Sequence, residues 1–215
     1  MTELLDALAR VDAVFAPYAA RPFALDGCGY CYTAADLALL AGPPALVPDR
    51  LLHEAATEVP DHWSDFPGLY RRLLPRVLRR VALDGAGPDP ATVASRLLAA
   101  GWDGWPERPA VERFLRAWWE RLVERPSERR PTEALELLVP LTGSPVPWLE
   151  RWTAHPDERL SRTVDRWLER RLEVRFGLHD EAGAAPAELA QVLLALGPDF
   201  LGARRLQEVE RIAWS

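Results

Sequence analysis

Cys28 and Cys31 are the only cysteines in the chain, and they stand three positions apart in Asp26-Gly-Cys-Gly-Tyr-Cys-Tyr-Thr-Ala-Ala-Asp36. Two thiols at this spacing can chelate a soft metal ion or form a redox pair. As half of a zinc site they need two further ligands, because structural zinc is four-coordinate. The sequence offers His53 and His62, with Asp26 as a weaker donor. Their spacing matches no standard zinc finger, and no second CxxC follows. As a redox dithiol, the pair needs a thiolate stabilised by a helix N-terminus or a cation. A helix starting at Thr33 meets part of that need, but the βαβ pattern of thioredoxin-like proteins is absent. The third reading is a turn shaped by Gly27 and Gly29 that simply places two small residues.

Two other groups of residues invite a functional reading. Arg72, Arg76, Arg79 and Arg80 share one face of a single helix, while Arg71 is turned away. Such a stripe suits an acidic partner, a phosphate or a nucleic acid. It equally suits a solvated face paired with acids from elsewhere. Trp118 and Trp119 are helix neighbours about 100° apart, so both cannot face the same core. One is expected inside, and the other in a helix–helix groove or an exposed patch that binds a partner. His155 and His179 fall at helix ends, where a cation complements the dipole.

Composition narrows the chemistry. All 26 basic residues are arginine, and the chain contains neither lysine nor asparagine. A Schiff-base lysine and a P-loop lysine are therefore excluded. So is an Asn-X-Ser/Thr glycosylation acceptor. G-x-S-x-G, H-E-x-x-H and G-x-G-x-x-G are also missing. The net charge of −6 argues against a dedicated nucleic-acid binder. No apolar run approaches the roughly 18 residues that span a membrane. The first residues lack the basic n-region of a secretory signal. The expected location is the cytoplasm, where paired cysteines read as thiols or metal ligands.

Helical periodicity dominates the elements that must position these residues. Leu4, Leu5, Leu8, Val11, Val14, Phe15 and Tyr18 form one stripe over 2–18, which Pro17 and Pro22 should end. Thr33-Ala-Ala-Asp36 reads as a capping box opening a helix to about 40. Further helices are expected over 48–58, 64–83 with a kink at Pro75, 89–100, 109–124, 132–139, 147–154, 157–176, 186–196 and 199–213. No stretch alternates as a strand does. The fold class is all-α with about ten helices, as an irregular helical bundle or a short HEAT-like stack of antiparallel helix pairs. Residues 1–215 read as a single helical domain. The alternative is two lobes, 1–125 with the CxxC turn and 126–215, with breaks near 84–90 or 125–131.

Three segments together carry a resemblance. The CxxC turn, Asp65-Phe66 with Leu74-Pro75-Arg76, and Trp102-Asp-Gly-Trp105-Pro106 with Ala117-Trp118-Trp119 resemble a group of uncharacterised bacterial helical proteins. The likeness covers about 25–125 and implies that these segments form one structural unit; it carries no activity. The reading that leads is a non-enzymatic helical module that binds another protein, with zinc at the CxxC. A thiol-based redox or redox-sensing protein using Cys28 and Cys31 is the alternative. A nucleic-acid-associated helical-repeat protein is the third.

Overall fold

The computed structural model describes residues 2–84, 87–125 and 130–214. Parts of both expected breaks, 85–86 and 126–129, lie outside the described residues. The chain is all-α, with eleven helices among the described residues. It forms two compact units, Met1–Trp118 and Trp119–Ser215, and the division falls inside one helix, α6 (Arg108–Glu124).

The first unit is built around α4 (Phe66–Leu83). Asp65 caps its N-terminus by accepting the Gly68 N–H at 2.8 Å, and Pro67 occupies a first-turn position where no N–H is needed. Leu69, Tyr70, Leu73, Leu74, Val77, Leu78 and Val81 are buried. Each fully buried aliphatic side chain contributes about 1.5–3 kcal/mol. Helix α4 packs against α1 (Thr2–Ala19), α3 (Asp49–Thr57) and α5 (Pro90–Ala99). It runs unbroken through Pro75. Helix α1 buries Leu4, Leu8, Val11 and Phe15 of the expected stripe together with Ala7, while Leu5 of that stripe is exposed. It continues through Pro17 to Ala19, one residue beyond the expected range. A proline one turn from the end costs a single backbone bond, and the carbonyls beyond it find a partner in Arg72.

That arginine is 3% exposed. Its guanidinium donates to the carbonyls of Tyr18 and Arg21 at the end of α1, at 3.5 and 3.0 Å. It also donates to those of Ala41 and Gly42 at the end of α2 (Ala34–Ala41), at 3.3 and 3.0 Å. The Phe23 ring lies over it at 4.9 Å. One planar fork thus donates to carbonyls at the ends of two helices, where intrahelical donors run out. Arg96 does similar work, bonding the Thr57 carbonyl at the end of α3 at 3.1 Å.

The second unit holds the remainder of α6 with α7 (Pro131–Thr142), α8 (Val146–Thr153), α9 (Glu158–Glu169), α10 (Pro186–Leu194) and α11 (Gly197–Ala213). Helix α10 packs on α8 and α11, and α11 packs on α9. Helix α7 does not stop at Pro140 but continues one further half-turn to Thr142, closed by Gly143 in a left-handed conformation. Helix α9 is shorter than its periodicity predicts. Arg171 and Leu172 adopt left-handed φ values of 53° and 62°, and Leu172 donates back to the Trp167 carbonyl at 2.9 Å. The chain then leaves the helix axis and forms β1 (Arg175–Phe176), paired antiparallel with β2 (Ala182–Gly183). The turn buries Leu172 and lets the edge of Phe176 meet Trp167 at 6.2 Å. Burial of these two side chains overrides a local pattern that would have continued the helix.

Replacing Arg72 with leucine should destabilise the protein by about 3–5 kcal/mol, because the buried guanidinium is removed and four part-buried carbonyls lose their donor at once. Arg79→Ala removes an ion pair to Asp12 that is nearly half exposed and should cost less than about 1 kcal/mol. Urea melts of the two variants check the contrast.

Candidate metal centre

The turn from Asp26 to Tyr32 is held against the connector 59–64 by its own backbone. Gly27 and Trp63 form an isolated antiparallel bridge. The Cys28 N–H donates to the His62 carbonyl at 2.9 Å, and Ser64 N–H to the Asp26 carbonyl at 2.9 Å. The Ser64 hydroxyl accepts the Asp26 N–H at 2.9 Å. Gly27 is required by proximity: a Cβ there would lie 2.9 Å from Leu37 and 3.2 Å from both the His62 carbonyl oxygen and the Trp63 ring. At Gly29 a Cβ would meet nothing within 4 Å, so that position is not fixed by crowding.

The turn closes on itself through the Cys28 carbonyl, which accepts the N–H groups of Cys31 and Tyr32, each at 3.0 Å. Thr33 then starts α2 with the expected capping box. Its hydroxyl accepts the Asp36 N–H at 3.2 Å, and the Asp36 carboxylate accepts the Thr33 N–H at 3.0 Å. Beneath the turn, Tyr32 and Trp63 pack at 4.5 Å between centroids, and both are buried. The two segments therefore share an apolar base and a backbone zip.

This arrangement brings Cys28, Cys31 and His62 together. One ligand atom from each lies within 4.8 Å of the others. His53 does not join them; it is exposed on α3, where its carbonyl accepts the Thr57 hydroxyl. Asp26 is exposed and is not part of the group either. Of the four expected ligands, three converge.

A residue not singled out by the sequence lies beside the histidine, whose buried Nδ1 makes no hydrogen bond. Glu58 closes α3, and its Oε1 lies 3.5 Å from His62 Nδ1. The carboxylate is itself fixed, accepting the Val59 N–H at 2.9 Å and the Tyr32 hydroxyl at 3.4 Å. Glu58 and Tyr32 also feel each other: burial, then the Glu58 charge, pushes the Tyr32 phenol well above its ordinary range. The signal in the sequence was the four-residue spacing from Glu58 to His62, which is common enough to pass unnoticed.

The two thiols are not equivalent. The Cys31 N–H, then the Tyr30 N–H and the Cys31 thiol, stabilise charge on the Cys28 sulfur and lower its pKa. Cys31 is raised, first by donating its own S–H to Cys28, then by desolvation and by the negative charges of Cys28 and Glu58. Cys28 is the more acidic thiol of the pair, and Cys31 donates to it. Both are free thiols, and Cys31 is the more exposed. Two soft sulfurs and an imidazole suit zinc better than a hard cation such as magnesium or calcium.

The other expected sites are placed elsewhere. Arg72 is buried against carbonyls. Arg76 pairs with Asp49 and bonds the Pro44 and Val47 carbonyls. Arg79 pairs with Asp12, and Arg80 with Asp49 and Asp84. The stripe is thus spent inside the first unit. Arg71, on the side set apart, makes a two-pronged bond to Glu107 and stacks over Tyr18 at 4.2 Å. Trp118 and Trp119 are each 1% exposed, so neither presents an indole to a partner. Trp118 stacks with Phe114, while Trp119 meets Trp148 and Trp152 edge-on. No helix among the described residues is long and apolar enough to cross a membrane. Comparison with protein-family models, with curated proteins and with solved structures finds no match.

In metal-free protein, iodoacetamide should label Cys28 before Cys31 near neutral pH, since only the thiolate reacts. Raising the pH through the titration of Cys31 should bring its rate up toward that of Cys28. Peptide mass spectrometry reads both rates; equal labelling across the range would contradict the asymmetry.

Proposed function

We propose that this chain is a non-enzymatic helical protein-interaction module whose first unit is fastened by a zinc ion on Cys28, Cys31 and His62. The observation that carries the metal reading is the convergence of these three side chains on two segments already joined by backbone bonds. His62 Nδ1 lies 3.5 Å from Glu58, and in this reading Nε2 is the nitrogen that ligates. A carboxylate behind a metal-bound histidine fixes the ring and raises its basicity. Zinc held this way cross-links the entry to α2 with the entry to α4 and contributes its binding energy to folding. The chain supplies three ligands; a tetrahedral ion takes its fourth from water or from an incoming side chain.

The interaction role draws support from Tyr30. It sits between the two cysteines with its side chain 99% exposed. Tyrosine offers a large rigid surface at low entropic cost, which suits a contact residue. A thiol-based redox role is the second reading, favoured by the unequal pair in which Cys31 donates to Cys28.

Protein purified without added metal and titrated with zinc should bind one equivalent. Binding should be lost in Cys28→Ser and His62→Ala but kept in His53→Ala. Glu58→Gln should weaken it by about 10- to 100-fold. Zinc at a hundred times its Kd should raise stability by about 2.7 kcal/mol. Failure to bind zinc, or equal loss in His53→Ala, rejects the site. Metal-free protein that cycles reversibly through a Cys28–Cys31 disulfide would establish the redox reading instead.

A further inference from the structure

We infer that the first unit also carries a binding cleft for an amphiphilic carboxylate, a small molecule with an apolar body and one anionic head. The cleft is separate from the cysteine turn, and the inference does not rest on the zinc reading. It lies between the end of α1, the 21–23 arm and the 41–45 turn, over Pro75 of α4, and offers about 560 Å3 of largely open space. That is within the range of small-molecule pockets.

Its walls are apolar and stiff. Ala16, Ala19, Pro22, Phe23, Pro44 and Pro75 are among the residues that line it. Alanine and proline have almost no side-chain freedom to lose on contact. They also cannot swing in to fill the space, so the concavity persists without a ligand. Arg72 holds the three walls in register by bonding carbonyls from each. The cleft is therefore built into the fastening of α1 to α2.

The charge around it is unbalanced. Asp12, Arg21, Arg72 and Arg76 border the space. Asp12 is taken by Arg79, and Arg76 is paired with Asp49. Among the described residues, Arg21 and Arg72 pair with no carboxylate. Arg72 receives only the partial charges of carbonyls and helix ends, and its Nε has no hydrogen-bond partner. Arg21 is exposed at the mouth and only leans on the Tyr18 ring at 5.8 Å. An anionic head near Arg21 gains Coulomb energy that a neutral head does not, and a cationic head is repelled. The apolar body gains by burial on Phe23 and the prolines.

Decanoate, 1-decanol and decylamine, each below its aggregation limit, separate these contributions in calorimetric titrations of the full chain. Decanoate should bind with one-to-one saturation and at least about tenfold tighter than decanol, with decylamine weaker still. Arg21→Glu changes an exposed residue and should cost decanoate about tenfold while leaving decanol unchanged. Ala16→Trp, also at an exposed position, should fill the cleft and abolish binding of both, with an unchanged circular dichroism spectrum. Equal binding of decanoate and decanol, no saturable binding, or decanoate binding that survives Ala16→Trp would each overturn the assignment.

Discussion

A single buried cation sets the geometry of the first unit. Arg72 reaches out of α4 and ties down the carbonyl ends of α1 and α2 together with the arm between them. Desolvation disfavours the charged guanidinium and draws its pKa down. What offsets this is not a carboxylate but a set of carbonyls at two helix C-termini, where the peptide dipoles favour a positive charge. Lysine could not substitute: an ammonium has three donors and no planar fork to span two helices. Because α2 is only two turns long, fixing its end fixes its start, and its start is where the cysteine turn enters.

The cysteine turn is thus positioned from both sides. Arg72 acts through α2, and the bridge to the connector acts through Gly27 and Trp63. Neither constraint needs a metal, and both leave the sulfurs facing His62. The apolar pair Tyr32 and Trp63 lies below, so the cysteines and His62 sit on a hydrophobic base rather than within a core. A preformed cluster of this kind pays less ordering entropy when an ion arrives.

Much of this was legible in residue pattern. The helical stripes and the Thr33 capping box are local signals, and local signals survive folding. The CxxC with His62 was readable as chemistry, yet the choice between His53 and His62 was not. That choice depends on a backbone bridge between residues distant in sequence. The arginine stripe left two readings open for the same reason. Its spacing is real, but the acids and carbonyls that absorb it come from α1, the 41–49 segment and the end of α4 itself. The short hairpin at 175–183 was invisible because two residues per strand carry no period. Leu172 leaves the helix for a burial that only tertiary packing supplies. Glu58 was missed since an acid four residues before a histidine is unremarkable until a cysteine pair stands on the other side.

The bridge between Gly27 and Trp63 also has a bearing on the order of events during folding. Cys28 and Cys31 are close in sequence and can meet the same ion in an unfolded chain. His62 lies beyond α2 and α3 and can reach it only after both helices have doubled back. Closing so long a loop is an entropic cost met once, by whichever contact forms first. If the backbone zip forms first, the third ligand falls into place with no further loop to close. An ion gathered early by the two sulfurs would instead wait, partly coordinated, and its final coordination would mark the moment at which the unit has assembled.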